Sequence, residues 1–254
     1  MLITKLYLKI LKRFKKVIET ELLELFSQKI LLNFVFFGFV FLDALGAVFP
    51  NHLNRKITMF VAFPLILFIY VLNTNKKNVL YIISLFFNFL GIYHFNNPYG
   101  KYDSTGLIYH AIAFFIYCVI LFRHFKTFNM KTVLKLAIPL ILFVCMLVYV
   151  YSDGMVVMLV FKEMVLYVFS ATVFVFIAFL LFLNKKNKVN YVLMLSGISI
   201  LLSSCFQGYN LFLDKNNLFN FFAVIFFNLT HYLMCLYLIK RSSGKSFFFS
   251  QTEA

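Results

Sequence analysis

Eight long apolar runs separated by short polar stretches organise the chain, at roughly 30–49, 57–73, 78–95, 105–123, 133–151, 156–183, 190–211 and 217–239. A helix needs about 20 apolar residues to cross the hydrocarbon of a bilayer, with a range of about 17–25. Most of the runs have that length. The sixth is longer and predicts a helix that tilts or protrudes. Lipid offers the backbone no hydrogen-bond partners, so a continuous apolar run of this length crosses as a helix. The pattern therefore predicts an all-α fold, a polytopic transmembrane helix bundle of about eight spans. The short connections predict that consecutive helices pack as antiparallel neighbours, and no loop is large enough for a separate domain.

The stretch before the first run has a different pattern. Across residues 1–28, Lys5, Lys9, Lys12, Arg13, Lys15 and Lys16 alternate with Ile3, Leu6, Tyr7, Ile10, Phe14, Val17 and Ile18 at helical spacing. This predicts a basic amphipathic helix lying on an anionic membrane surface. A signal peptide is the competing reading, with Ala44, Gly46 and Ala47 after an apolar run, but the basic region is too long for a usual signal. The domain plan is thus an interfacial helix at 1–28, a transmembrane domain at 30–241 and a short cytoplasmic tail at 242–254.

Composition fits this picture. Hydrophobic residues are 63% of the chain and charged residues 13%, against about 45–50% and about 25% in soluble domains. The sequence has 37 Phe, 15 Tyr and no Trp, so Tyr must supply the interfacial aromatic belt. Its wealth of Lys, Asn, Ile, Phe and Tyr is the bias of an AT-rich bacterial genome. The net charge of +15 does not indicate nucleic-acid binding, because the cations lie between the apolar runs rather than on a soluble module. With the N-terminus inside, the five inside segments carry 7, 2, 3, 3 and 3 Lys or Arg, 18 in all, and the outside segments carry only Arg55, Lys56, Lys101 and Lys215. Basic residues collect on the cytoplasmic side, so both termini are predicted cytoplasmic in a bacterial inner membrane, with an even number of spans.

Charged groups at membrane depth cost about 2.5–3.5 kcal/mol or more, so each calls for an explanation. Asp43, His94, His110, Lys162, Glu163, Gln207, Asn210 and Asn220 all fall in the predicted outer half of the spans, while Asn88 and His231 lie deeper. A shared polar cavity open to the outer side would explain that common depth. Acid–base work would then fall to Glu163, Asp43 and His110, with His94, Gln207 and Asn210 as substrate-binding candidates. The alternative is local: Asp43 and Glu163 pair nearby or reach interfacial water, Lys162 snorkels, and each histidine bonds across helices. No metal site is expected, since no H-E-x-x-H or tight His/Asp/Glu group occurs. No cofactor is expected either, since there is no Walker A, G-x-G-x-x-G or G-x-S-x-G motif. Cys118, Cys145, Cys205 and Cys235 lie in apolar runs and read as small buried hydrophobes.

The third and fourth runs carry Ser84-Leu85-Phe86-Phe87-Asn88-Phe89-Leu90-Gly91 and Gly106-Leu107-Ile108-Tyr109-His110-Ala111-Ile112-Ala113-Phe114-Phe115-Ile116-Tyr117. With the eight-span plan, this resembles the YhhN-like family, whose characterised members are lysoplasmalogenases. The family shows Leu-Gly-Asp in span three and His-x-x-Tyr in span four. Gly91 and Tyr117 fit, while Ile92 stands at the Asp position and Phe114 at the His position. In span seven the family has a Gly and then Ser-Asp; here Gly197 is followed by Ser203-Ser204-Cys205, with no acid. The resemblance adds Tyr117 to the binding candidates and implies membrane lipids as partners, with a lysophospholipid-like amphiphile as ligand. Vinyl-ether hydrolysis begins with protonation of a carbon and needs a positioned acid. A member lacking both acids has either lost the reaction or moved the acid, with Glu163 the first place to look. The classes to separate are a divergent lipid-binding member of that family, a small-solute transporter, and a membrane sensor or scaffold that recruits partners through residues 1–28.

Overall fold

The computed structural model describes residues 28–50, 52–53, 55–95, 104–124, 130–157 and 159–243. The amphipathic helix expected at 1–28 and the tail beyond 243 lie outside them. The described residues form eight α-helices and no strand: α1 Gln28–Val48, α2 Arg55–Asn73, α3 Val79–Phe95, α4 Thr105–Phe122, α5 Met130–Val157, α6 Phe161–Asn184, α7 Lys188–Phe212 and α8 Asn217–Ser243. Six of them, all but α2 and α3, are long and apolar enough to cross a membrane, and α2 and α3 hold shorter apolar stretches at Ile57–Asn73 and Val79–His94.

Asparagines set several of the turns. Asn187 caps α7 by accepting from the Asn190 N–H at 2.8 Å, and Asn190 donates to the carbonyls of Leu181 and Lys185 at the end of α6. Asn216 caps α8 by accepting from Leu218 and Phe219. Each bond satisfies a backbone group that a helix end leaves without an intrahelical partner.

The break between α5 and α6 corrects the reading of the fifth and sixth runs. Ser152, Asp153 and Gly154 are helical, and α5 continues to Val157. The chain turns at Leu159, whose φ is 57°. The Leu159 N–H bonds to the Val156 carbonyl and the Val160 N–H to the Met155 carbonyl, the paired bonds of a Schellman stop. The polar triplet stays helical because Ser152 returns its hydroxyl to the Tyr149 carbonyl at 2.8 Å and Gly154 lets α5 lie close to α7. A Cβ at Gly154 would stand 2.6 Å from the Phe212 carbonyl oxygen. The long helix is therefore α5, at 28 residues, and α6 has 24.

Packing follows chain order with one exception. α1, α2, α3 and α4 pack in sequence, α4 then packs on α6, α6 on α7, α7 on α8, and α8 returns to α1. Seven helices thus close a ring, with α5 outside it against α6 and α7. The expectation that α4 and α5 are neighbours fails because α4 presents an aromatic seam to α6. Phe114 meets Tyr167 and Phe174 at ring separations of 6.0 and 5.5 Å, and Tyr117 meets Phe174 at 5.7 Å. The ring is sealed by Tyr232 of α8, which donates to Asn33 of α1 at 3.0 Å and stacks on Phe36 at 5.1 Å. Ser196 and Ser203 of α7 donate to the Thr230 and Ala223 carbonyls of α8 at 2.8 and 2.9 Å, the close small-residue packing that joins helices in lipid.

Leucine in the left-handed conformation costs about 1–2 kcal/mol, and Leu159 is 87% exposed, so its side chain contributes little packing in return. Leu159→Gly is expected to raise stability by about 0.5–1 kcal/mol once the extra freedom of glycine in the unfolded chain is deducted. Thermal unfolding in detergent checks this, and a lower melting temperature would contradict the assigned turn.

A candidate polar cavity at one end of the helix ring

The ring encloses a cavity of about 130 Å³. It is lined from the C-terminal half of α1 by Asp43, the N-terminal half of α2 by Arg55 and Met59, the C-terminal end of α3 by Ile92, and the N-terminal half of α4 by Leu107 and His110. Met164 and Tyr167 come from the start of α6, Ser203, Ser204, Gln207 and Leu211 from the end of α7, and Asn220, Ala223, Val224, Phe227 and Asn228 from the first half of α8. Every ring helix therefore contributes from the same end of the bundle. α4 and α6 both start there and run parallel, as the step of α5 outside the ring requires.

An ion pair sits at the α1–α2 corner. Arg55 Nε donates to Asp43 Oδ1 at 2.9 Å, Arg55 Nη2 lies 3.4 Å from Oδ2, and the Thr58 hydroxyl lies 3.4 Å from Oδ1. Asp43 is buried and its partner is half-buried. The approach of Arg55 depends on Gly46, where a Cβ would stand 2.5 Å from Arg55 Cγ. A guanidinium has five N–H donors, and the pair with Asp43 uses two. Across the cavity, His110 Nδ1 is 3.0 Å from Asn88 Oδ1, and Asn88 Nδ2 donates to the Ser84 carbonyl at 3.1 Å. Since Nδ2 is a donor, Oδ1 accepts, so His110 carries its hydrogen on Nδ1 and presents Nε2 as an acceptor. His110 fits only because residue 91 is glycine: a Cβ there would lie 2.6–2.7 Å from three atoms of the ring.

A narrower apolar cleft of about 20 Å³ adjoins the cavity beneath α5, lined by Phe143, Leu147, Tyr151, Val168 and Ile200 among others. Met164 and Ser204 border both spaces. Tyr151 anchors α5 over this cleft by donating to the Cys205 carbonyl at 3.1 Å, with Gly208 admitting its ring.

Of the residues singled out from sequence, Asp43, His110, Gln207 and Asn220 line the cavity. Glu163 does not; it is half-buried in the first turn of α6, where a carboxylate suits the positive end of a helix dipole. His94 is half-buried at the end of α3 against Tyr93 and Tyr109. Asn210 accepts from Asn216 N at 2.7 Å and donates to the Phe206 carbonyl, fixing the α7–α8 turn. Tyr117 is fully buried, with its hydroxyl 3.0 Å from His231 Nδ1. Arg55, Tyr167, Ser203, Ser204 and Asn228 were not among the sequence candidates. The signal for Arg55 was available: an acid buried at position 43 needs a cation, and residue 55 opens the next span. Among the described residues, no group of three or more His, Cys, Asp or Glu could hold a metal ion.

Comparison of the chain with protein-family models, curated proteins and solved structures finds no match. Fold and site together define a membrane-embedded, all-helical protein with a polar cavity at one end of its helix ring.

Overpacking of a filled core costs about 1–3 kcal/mol. Gly91→Ala is expected to destabilise the bundle by that amount by displacing the His110 ring. In the double variant Gly91→Ala/His110→Ala most of that increment should be absent relative to His110→Ala alone, a coupling that unfolding measurements on the four proteins resolve. Additive effects would refute the contact.

Proposed function

We propose that the protein is a multi-pass protein of a bacterial cytoplasmic membrane that binds a membrane amphiphile. The polar head lies in the cavity and the hydrocarbon chain leaves it for the surrounding lipid. The observation that carries this reading is that a cavity lined by all seven ring helices gathers charged, amide and hydroxyl side chains beside apolar ones, and that an apolar cleft shares Met164 and Ser204 with its wall. A ligand with one polar and one apolar end suits that mixed lining.

The proposal includes eight spans. In support, α2 and α3 run between the same two levels as their longer neighbours, with Met59 and Ile92 at the cavity and the Tyr70–Asn78 bond at the other end. It also includes an outward-facing cavity. Among the described residues, the opposite end carries Lys76, Lys77, Arg123, Lys131, Lys135, Lys185, Lys186, Lys188, Lys240 and Arg241, against Arg55, Lys56, Lys162 and Lys215 at the cavity end.

The YhhN-like resemblance points to the same place. Ile92, at the position of a family acid, lines the cavity, as do Ser203 and Ser204 of the span-seven motif. This makes a lysophospholipid-like amphiphile the preferred ligand. Among the lining residues Asp43 is the single carboxyl, and its oxygens are engaged by Arg55 and Thr58. Lipid binding without ether hydrolysis is the form of the proposal that this lining favours.

Ligand at about 100 times its dissociation constant stabilises the folded state by about 2.7 kcal/mol. Palmitoyl lysophosphatidylethanolamine is therefore expected to raise the melting temperature of the detergent-solubilised protein. Gln207→Leu and Asn220→Leu, which replace half-buried cavity-wall amides, should leave the fold intact and weaken the lipid effect by roughly tenfold, the factor for about 1.4 kcal/mol. No rise for the wild type, or an equal rise in all three proteins, would remove the reading. Release of aldehyde from lysoplasmalogen would restore the hydrolase alternative.

A further inference from the structure

Of four buried side-chain atoms without a partner among the described residues, two lie one turn apart on α8. Asn228 is 4% exposed and lines the cavity, and His231 is 0% exposed. Among the described residues, neither Asn228 Oδ1 nor His231 Nε2 has a hydrogen-bond partner. Positions i and i+3 lie on one face of a helix, so both residues stand on the same side of α8. Leaving a buried polar atom unpaired is costly, and native proteins rarely do so without a bound group or a function to explain it.

The surrounding bonds limit what each atom can do. Asn228 Nδ2 donates to the Val224 carbonyl at 3.0 Å, so its Oδ1 is an acceptor. His231 Nδ1 is 3.0 Å from the Tyr117 hydroxyl, so one nitrogen of its ring is held and Nε2 is left over, an acceptor where Tyr117 accepts from Nδ1–H and a donor where Tyr117 donates to Nδ1. Asn228 Oδ1 requires a donor, and a hydroxyl, which both donates and accepts, suits His231 in either tautomer.

One cavity-lining side chain packs directly against His231. The Phe227 ring lines the cavity and stands edge-on to both histidines, 4.7 Å from His231 and 5.1 Å from His110 between ring centres. Phe63 and Phe114 close the other sides of His231 at 5.0 and 5.8 Å.

We propose that Asn228 and His231 form a deep subsite of the cavity, reached past Phe227, that binds an O–H donor: a water molecule, or the hydroxyl of the cavity's ligand. This inference rests on reading the cavity as the ligand site. A hydroxyl there donates to Asn228 Oδ1 and bonds His231 Nε2 in the sense its tautomer dictates, with Tyr117 positioning the ring through Nδ1.

The test is diethyl pyrocarbonate modification of the full-length protein in detergent, mapped by peptide mass. The reagent attacks unprotonated imidazole nitrogens. His110, in the cavity wall, should react in every variant, whereas His231 should react slowly in the wild type and roughly tenfold faster in Phe227→Ala and Phe227→Leu, because a smaller side chain lowers the cost of local opening. 1-Octanol protecting His231 would identify a ligand hydroxyl as the occupant, and unchanged reactivity in octanol would identify water. A His231 that stays unreactive in both Phe227 variants while His110 reacts would overturn the subsite. An unreactive His110 would instead overturn the cavity reading itself.

Discussion

A bilayer supplies no hydrogen bonds, so each polar group at its depth must find a partner inside the protein. Most of this molecule's organisation follows from that constraint. The serines of α7 donate to α8 carbonyls, His110 is paired with Asn88, and the intramembrane carboxylate of Asp43 meets a guanidinium at the first residue of α2. Each of these bonds turns a polar residue away from lipid and toward the ring axis. The outward faces are left to Phe34, Ile57, Phe86, Leu134 and Phe169, all exposed, which lipid solvates at no cost.

Closing the ring with seven helices rather than eight has a geometric consequence. An eighth helix between α4 and α6 would separate Phe114 and Tyr117 from Phe174 and break the aromatic seam. With α5 displaced outward, α4 and α6 meet directly, and the side of α6 and α7 that α5 covers becomes a separate apolar compartment. Glycines permit the close approaches on which both compartments depend: Gly46 for Arg55 and Gly91 for His110 at the cavity, Gly154 and Gly208 for α5. The polar cavity and the apolar cleft are thus products of one packing decision, which is why Met164 and Ser204 border both.

The helices were legible in the sequence because apolar run length is a direct readout of a hydrocarbon slab. Their rotations were not. In a soluble bundle the polar face reports which side is out, but here Phe and Leu cover inside and outside alike. Depth could be read for Asp43, His110 and Gln207, which share the cavity. It could also be read for His94, Asn210 and Glu163, at the same level, and these serve a helix end, a turn and a helix dipole instead. Tyr117 was placed by resemblance alone, and its bond to His231, 114 residues away, depends on the contact between α4 and α8 across the ring. The turn at Leu159 was misplaced for a related reason: Ser152-Asp153-Gly154 is a strong breaker locally, and only the fit of Gly154 against α7 keeps it helical.

Where unsatisfied groups lie also carries information. Four buried side-chain atoms have no partner among the described residues: Thr74 Oγ1, Asn190 Oδ1, Asn228 Oδ1 and His231 Nε2. Thr74 follows the last residue of α2, and Asn190 is in the first turn of α7, close to bundle ends where a small fluctuation admits solvent. Asn228 and His231 lie about three and four turns into α8, where the surrounding aromatic rings offer no donor. A random packing defect would not place two unpaired polar atoms on residues of one helix face, one turn apart, with the first in the cavity wall and the second braced by a tyrosine. The constraint that pairs most buried polar groups in this bundle leaves these two beside Phe227, whose ring lines the same cavity.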